Sequence, residues 1–229
     1  MRLKLQISKR DNGVKNENER LKNEKWVKLN TLLNQFTKVY SGLIRQPIDV
    51  WVDIKKRSNN MEEKKVVTMH GNPLTLTGNS VKVGDKAPDF KVIANDLSEV
   101  TLSSFKGKVC LIVTVPSLDT SVCDTETRKF NEAATKLDDN VVVLTISMDL
   151  PFAQARWCGA AGVKNVQTLS DYNFADFGNK YGVLIEGLRL LARTIFIVDS
   201  EGKISYIQIV DELTNEPDYD AVLEALKGL

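Results

Sequence analysis

Cys123 is the residue in this sequence best placed to do chemistry. It lies in VPSLDTSVCDTETRKF, residues 115–130, between an aliphatic run and a stretch with helical spacing. The reactive form of a cysteine is its thiolate, and the unsatisfied N–H groups and positive dipole end of a first helical turn favour that form. We therefore expect Cys123 to be a nucleophilic thiol, the alternative being a small apolar packing residue.

Three other residues have features that bear on such a thiol. Thr120 lies three residues before Cys123, so its hydroxyl can either cap the helix or donate a hydrogen bond to the sulfur. Arg193 lies in the apolar segment LRLLARTIFIV, where a partly buried guanidinium needs an anionic partner. Cys158 is followed by Gly159 and two alanines, which permit close approach of another group but equally permit plain packing.

The elements around Cys123 predict an α/β fold with a central mixed sheet flanked by helices. KVCLIVTVP is a continuous apolar run typical of a strand buried on both faces, and residues 122–137 have apolar residues at helical spacing. Strands and helices then alternate, and a strand pair joined by Asp-Ser-Glu-Gly and a final helix end the chain. VVTMHGNPLTLTG predicts an N-terminal β-hairpin. Cys123 would follow the carboxyl end of a central strand, where open α/β sheets place their sites.

Composition limits the possible chemistry. The 229 residues include three cysteines without a C-x-x-C pair and a single histidine, which argues against a disulfide scaffold and against a zinc site. No apolar run approaches the roughly 20 residues of a membrane helix, and no secretory signal precedes the domain. We expect an intracellular protein that uses thiol chemistry in a reducing compartment.

Charge and composition change near Met61. Residues 1–60 have a net charge of +8, eight asparagines and no alanine, whereas residues 61–229 have a net charge of −7. Residues 1–60 are predicted to be a basic extension that is either poorly structured or upstream of a native start at Met61. A basic amphipathic helix within NEKWVKLNTLLNQFTKVYSGLI, residues 23–44, able to bind a membrane or a partner, is the alternative.

The spacing of Pro116, Thr120 and Cys123 is P-x-x-x-T-x-x-C, which resembles the peroxidatic motif of the peroxiredoxins. The resemblance extends in order over residues 66–229 and is specific to the bacterial thiol peroxidases, the atypical two-cysteine branch. The segments that carry it are VGDKAPDF, VTVPSLDTSVCDTETRKFN, TISMDLPFAQARWCGAAG, LLARTIFIVD and VDELTNEPDYDAVLEAL.

This resemblance implies a thioredoxin-like fold and a thioredoxin-dependent peroxidase without cofactor or metal. Cys123 would attack hydrogen peroxide or an organic hydroperoxide and become a sulfenic acid, and Cys158 would resolve it as an intramolecular disulfide. By the same resemblance, Pro116 shields the sulfur, Thr120 hydrogen-bonds the thiolate and the peroxide, and Arg193 stabilises negative charge. The family is typically dimeric, and we expect a cytoplasmic homodimer that binds neither nucleic acid nor membrane.

The sequence is also compatible with two other functional classes. A thioredoxin-like disulfide oxidoreductase would share the fold but normally carries C-x-x-C, which is absent from this sequence. A non-enzymatic protein would use the basic residues 1–60 to bring an inert redoxin domain to a membrane or nucleic acid.

The segment VLIEGLRLLA is shorter than in many relatives, which affects the expected shape of the substrate pocket. Cys110, inside an apolar run, is predicted to be a core residue, and His70 to be exposed.

Overall fold

The computed structural model describes residues 65–229. The predicted boundary at Met61 and the predicted amphipathic helix within residues 23–44 lie outside these residues. The strands of the described part are β1 (Val66–Met69), β2 (Asn72–Thr77), β3 (Lys91–Ala94), β4 (Glu99–Thr101), β5 (Val109–Thr114), β6 (Val141–Ser147), β7 (Gln167–Ser170), β8 (Leu184–Ile185), β9 (Thr194–Val198) and β10 (Ile204–Ile209). The helices are a 3₁₀-helix (Leu102–Phe105), α1 (Ser121–Ala134), α2 (Pro151–Ala161), α3 (Asp176–Tyr181) and α4 (Tyr219–Leu226).

The main sheet is mixed and has seven strands in the order β10-β9-β5-β6-β7-β3-β4. Strand β5 is an interior strand of this sheet: it pairs with β6 in parallel and with β9 antiparallel. All six residues of β5 are buried, which explains why its sequence is continuously apolar rather than alternating. The mixed sheet between helices confirms the predicted thioredoxin-like α/β fold.

Each face of the sheet has its own hydrophobic core. Alternate residues of β5 point to opposite faces, so Cys110 and Ile112 join one core while Leu111 and Val113 join the other. The core that contains Leu111 also contains Cys123, and α1, α2 and α4 all contribute to it. The opposite core is built from α3 and the N-terminal hairpin. The two helices that carry Cys123 and Cys158 therefore cover the same face of the sheet.

The predicted N-terminal hairpin is present as β1 and β2, and β8 extends it to a small three-stranded sheet. Its turn contains His70, which is exposed as predicted and has a positive φ of 51°, followed by Gly71 at 76°. None of the helices in residues 65–229 is long and apolar enough to cross a membrane.

Helix α3 is shorter than the sequence pattern suggested. The spacing in YNFADFGNKYG predicts a helix over residues 172–182, whereas the observed helix is Asp176–Tyr181. Residues before it form a turn, and Ala175 has a left-handed backbone with φ of 51°. The buried carboxylate of Asp171 accepts the N–H groups of Phe177 and Gly178, so the helix begins where this acceptor satisfies its first turn.

Candidate active site

The backbone places Cys123 in the first turn of α1, as predicted. Strand β5 ends at Thr114, a short loop follows, and α1 begins at Ser121. The side chains that α1 buries lie on one stripe along the helix, Cys123, Glu126, Thr127 and Phe130. Cys123 itself has no exposed surface. This buried stripe thus fixes the thiol at the positive end of the helix dipole and away from bulk water.

The Thr120 hydroxyl lies beside the sulfur of Cys123. Its Oγ1 is 2.8 Å from the Sγ of Cys123 and 3.1 Å from the carbonyl oxygen of Ser117. Thr120 has the extended backbone of an N-cap residue, but its side chain does not cap the helix. Of the two roles that the sequence left open for this hydroxyl, capping is not observed, and the hydroxyl lies where its one proton can be donated either to the sulfur or to the Ser117 carbonyl.

Arg193 approaches the same sulfur from the start of β9. It is 1% exposed, and its Nη2 is 3.4 Å from the Sγ of Cys123. Its Nε and Nη2 both donate to the carbonyl oxygen of Leu213, at 3.2 and 2.9 Å, and its Nη1 forms an ion pair with Glu126. Burial alone would lower the pKa of Arg193, but the charges of Glu126 and Cys123 outweigh it and raise that pKa. The guanidinium is therefore a fixed positive charge at the thiol.

Glu126 is a site residue that the sequence reasoning missed. It is fully buried, and its Oε2 accepts from Arg193 while its Oε1 has no hydrogen-bond partner among the described residues. Burial raises the pKa of its carboxyl to about 7, although Arg193 opposes the shift. A signal was available: Glu126 is three residues after Cys123, on the same helical stripe. It supplies the anionic partner that the apolar surroundings of Arg193 required.

The Leu213 carbonyl is held in place by the N-terminal hairpin. The carboxylate of Glu212 accepts the backbone N–H groups of His70 and Gly71, both at 3.0 Å, and the hydroxyls of Thr68 and Thr214. These bonds, led by that from Gly71, keep the pKa of Glu212 well below its usual range. The hairpin thereby fixes the loop that orients Arg193.

Pro116 and Asp149 define the loop that leads to Cys123. Pro116 is buried just after β5. The carboxylate of Asp149 accepts the Ser117 hydroxyl at 2.7 Å and the Leu118 N–H at 2.8 Å. Asp149 also lies two residues before α2, so one carboxylate connects the segments that begin both cysteine-bearing helices.

Cys158 lies apart from the group formed by Cys123, Thr120 and Arg193. It is half-buried in the second half of α2, which begins with Pro151 at its first position as predicted. Its sulfur is 3.2 Å from the hydroxyl oxygen of Thr168, and no disulfide joins it to Cys123. Both cysteines nevertheless pack against the same core.

Cys110 is a core residue, as predicted. It lies in β5 on the face of the sheet opposite to Cys123, is 1% exposed, and has its pKa raised to about 12 by burial. A buried thiol of this kind is unreactive at neutral pH. The site chemistry therefore does not involve the third cysteine.

Comparison with known proteins identifies the family to which the chain belongs. The Redoxin family model matches residues 82–223. Thiol peroxidases from Halalkalibacterium halodurans and Bacillus subtilis are 58% and 55% identical over 162 and 163 residues, which is 71% of this chain and 97% of each relative. A peroxiredoxin-like protein from Aquifex aeolicus has a solved structure that is 48% identical, with a TM-score of 0.68 over 71% of this chain and 96% of that one.

A second solved structure, the thiol peroxidase from Chromobacterium violaceum, has a TM-score of 0.66 at 24% identity over 72% of this chain and 97% of that one, a likeness of fold. The fold and the thiol site together are those of a redoxin. The chain belongs to the redoxin family and, within it, to the thiol peroxidases.

Proposed function

We propose that this protein reduces hydrogen peroxide and organic hydroperoxides through Cys123. The observation that carries the proposal is the position of one sulfur between the Thr120 hydroxyl and the buried Arg193 guanidinium, at the start of a helix. These donors stabilise a thiolate before reaction and the negative charge that develops on the peroxide oxygens during it.

In the first step the Cys123 thiolate attacks one peroxide oxygen. A sulfur–oxygen bond forms as the oxygen–oxygen bond breaks, and the departing oxygen takes a proton and leaves as water or an alcohol. Cys123 is oxidised by two electrons to a sulfenic acid. Because Cys123 has no exposed surface, the residues that cover it have to move for the peroxide to reach the sulfur. Pro116, buried in the loop before α1, limits the access of water.

In the second step the Cys158 thiolate attacks the sulfur of the Cys123 sulfenic acid. A disulfide forms, the sulfur–oxygen bond breaks, and the oxygen leaves as water after protonation. A thioredoxin then supplies two electrons and two protons by thiol–disulfide exchange and regenerates both thiols. The packing of α1 and α2 against one core supports this pairing of cysteines. We further propose that the enzyme acts as a cytoplasmic homodimer and requires neither a nucleic acid nor a membrane.

Replacing single cysteines tests this function. Cys123→Ser should abolish the consumption of hydrogen peroxide in the presence of thioredoxin, thioredoxin reductase and NADPH, since it removes the nucleophile. Cys110→Ser is the matched control, because it makes the same change at a buried thiol on the opposite face and should retain near-normal turnover. Substantial turnover by Cys123→Ser would show that another group is the nucleophile.

A further inference from the structure

Thr168 is the residue that contacts Cys158 in the folded protein. It lies in β7, is 3% exposed, and has its Oγ1 3.2 Å from the Sγ of Cys158. The Nδ2 of Asn95 donates to the same Oγ1 at 3.0 Å. A threonine hydroxyl has one proton, and because Asn95 already donates to its oxygen, that proton is free to be donated to the sulfur. Asn95, Thr168 and Cys158 thus form a hydrogen-bonded chain.

The position of this chain separates Cys158 from the peroxide site. Thr168 is on β7, whereas Arg193, which contacts Cys123, immediately precedes β9. The order β9-β5-β6-β7 puts two strands between them, so their backbones are about 14 Å apart at ~4.8 Å per strand. A disulfide joins two sulfurs at about 2 Å. Both sulfurs are free thiols with different hydrogen-bond partners, so bonding between them requires that Cys158 leaves Thr168, that Cys123 leaves Arg193, or both.

We propose that Thr168, oriented by Asn95, is a positioning residue that holds Cys158 in its docked place and thereby slows the resolving step. This rests on the proposed function, in which Cys158 attacks the Cys123 sulfenic acid and releases water. A hydrogen bond that is present before the attack and absent from the disulfide adds to the barrier of that step. A slower resolving step gives a second peroxide molecule more time to react with the sulfenic acid. That peroxide oxidises the sulfenic acid to a sulfinic acid and is reduced to water or an alcohol.

The same sheet offers a matched control for Thr168. Thr145 in β6 is the register partner of Thr168, is 1% exposed, and has a hydroxyl without a hydrogen-bond partner among the described residues. Thr145→Val and Thr168→Val therefore make the same chemical change at neighbouring buried positions, and only the second removes the contact with Cys158. Thr168→Ser keeps the hydroxyl and should restore the behaviour of the unchanged protein.

The test is a single-turnover measurement on the reduced full-length protein. One equivalent of hydrogen peroxide is added, the reaction is quenched with acid and a thiol alkylator, and the Cys123–Cys158 disulfide is followed by mass spectrometry. Thr168→Val should form the disulfide about fivefold faster, the effect expected of one lost hydrogen bond, and should yield less sulfinic acid at excess peroxide. Thr168→Ser, Thr145→Val and the unchanged protein should share one slower rate, and sulfenic acid formation should be equal in all.

A second variant covers the case in which Thr168→Val does not fold. Asn95→Ala removes the donor that orients the Thr168 hydroxyl from a half-buried position, and should speed disulfide formation by about twofold. An unchanged or lower rate in the Thr168→Val and Asn95→Ala variants, or equal acceleration by Thr145→Val, would overturn the role of Thr168. Absence of the Cys123–Cys158 disulfide from every variant, with peroxide still consumed, would instead overturn the resolving role of Cys158.

Discussion

At the scale of single residues, the environment of Arg193 is the most informative part of the site. A buried guanidinium is costly unless its charge and its donors are all matched. Here the carboxylate of Glu126, the carbonyl of Leu213 and the sulfur of Cys123 share its donors. Because removal of one member of a buried ion pair leaves the other uncompensated, Glu126 and Arg193 depend on each other.

The raised pKa of Glu126 gives a prediction for the pH dependence of stability. The pKa is about 7 in the folded protein against 4.5 for an unperturbed carboxyl, so the folded state binds the proton more tightly. The stabilisation from this proton is complete below about pH 4.5 and is lost as the pH rises through about 7. The Glu126→Gln variant has a neutral side chain at this position at every pH, so it does not lose this stabilisation as the pH rises. Its free energy of unfolding relative to the unchanged protein should therefore increase by on the order of 1–3 kcal/mol between pH 4.5 and 7.5.

Urea unfolding of both proteins across this pH range, with the thiols kept reduced, measures the difference. The buried carboxyl of Asp171 also has a raised pKa, of about 6, but it is present in both proteins and cancels. If the free energies of unfolding of the two proteins differed by a constant amount from pH 4.5 to 7.5, Glu126 would titrate as an ordinary carboxyl.

The sequence could predict some of these residues and not others, for physical reasons. Cys123 and Thr120 are three residues apart, so one helical turn fixes their contact. Arg193 is distant in sequence but conspicuous because apolar residues surround it. Glu126 follows Cys123 at helical spacing, but a glutamate is usually solvated, and its burial depends on the position of Arg193. The Leu213 carbonyl is a backbone atom placed by a hairpin more than 140 residues away, and no residue type indicates it.

At the scale of elements, helices α1 and α2 are joined by a clasp of Asp124, Arg128 and Trp157. The Nε1 of Trp157 donates to Asp124 at 3.0 Å, and the Nε of Arg128 donates to the same carboxylate. Arg128 also donates from Nη1 to the carbonyl oxygen of Ala161 at 2.9 Å, near the end of α2. Trp157 is the neighbour of Cys158, so the clasp holds the turn of α2 that carries the resolving cysteine of the proposed disulfide.

We predict that Trp157→Phe loosens α2. The phenylalanine keeps most of the buried apolar area but has no N–H to donate to Asp124, so α2 should open more often. Amide hydrogens of residues 153–162 should exchange about fivefold faster in the reduced variant, while those of β5 and β6 keep their rates. Hydrogen exchange with mass spectrometry resolves the two regions. In the unchanged protein, oxidation to the disulfide should accelerate exchange in the same part of α2 and in residues 120–126.

Arg156→Ala is the matched control for the clasp. Arg156 precedes Trp157 and pairs with Asp119 at 3.3 Å, but the two side chains are 71% and 61% exposed. An exposed pair of this kind contributes little, so exchange in α2 should not change. If Trp157→Phe left exchange unaltered as well, the clasp would not control the opening of α2.

Element prediction from the sequence succeeded where the pattern was set by burial within one element. The apolar run of β5 follows from coverage of both sheet faces, and the stripe of α1 from contact with one core. Prediction was wrong in extent for α3, where the buried carboxylate of Asp171, six residues before Phe177, accepts the first N–H groups and fixes the start of the helix. The position of Cys158 relative to Cys123 also depends on how α1 and α2 pack, which helical spacing alone does not contain.

At the scale of the whole molecule, the family match and the charge distribution both set residues 1–60 apart from the rest of the chain. The Redoxin match covers residues 82–223. The thiol peroxidase relatives are matched over 97% of their length by 71% of this chain. The net charge also changes sign between residues 1–60 and residues 61–229.

We therefore predict that a variant starting at Met61 folds and turns over peroxide at the rate of the full chain, with an unchanged midpoint of thermal unfolding. A variant starting at Gly78 provides the contrast, because it also removes β1 and β2 and with them the donors that Thr68, His70 and Gly71 give to Glu212. That variant should unfold at lower temperature and reduce peroxide more slowly, since the loop carrying the Leu213 carbonyl loses its anchor. Peroxide consumption and thermal unfolding of the three proteins measure both effects. Loss of activity in the variant that starts at Met61 would show that residues 1–60 contribute to activity. Full activity in the variant that starts at Gly78 would show that Arg193 keeps its orientation without the hairpin.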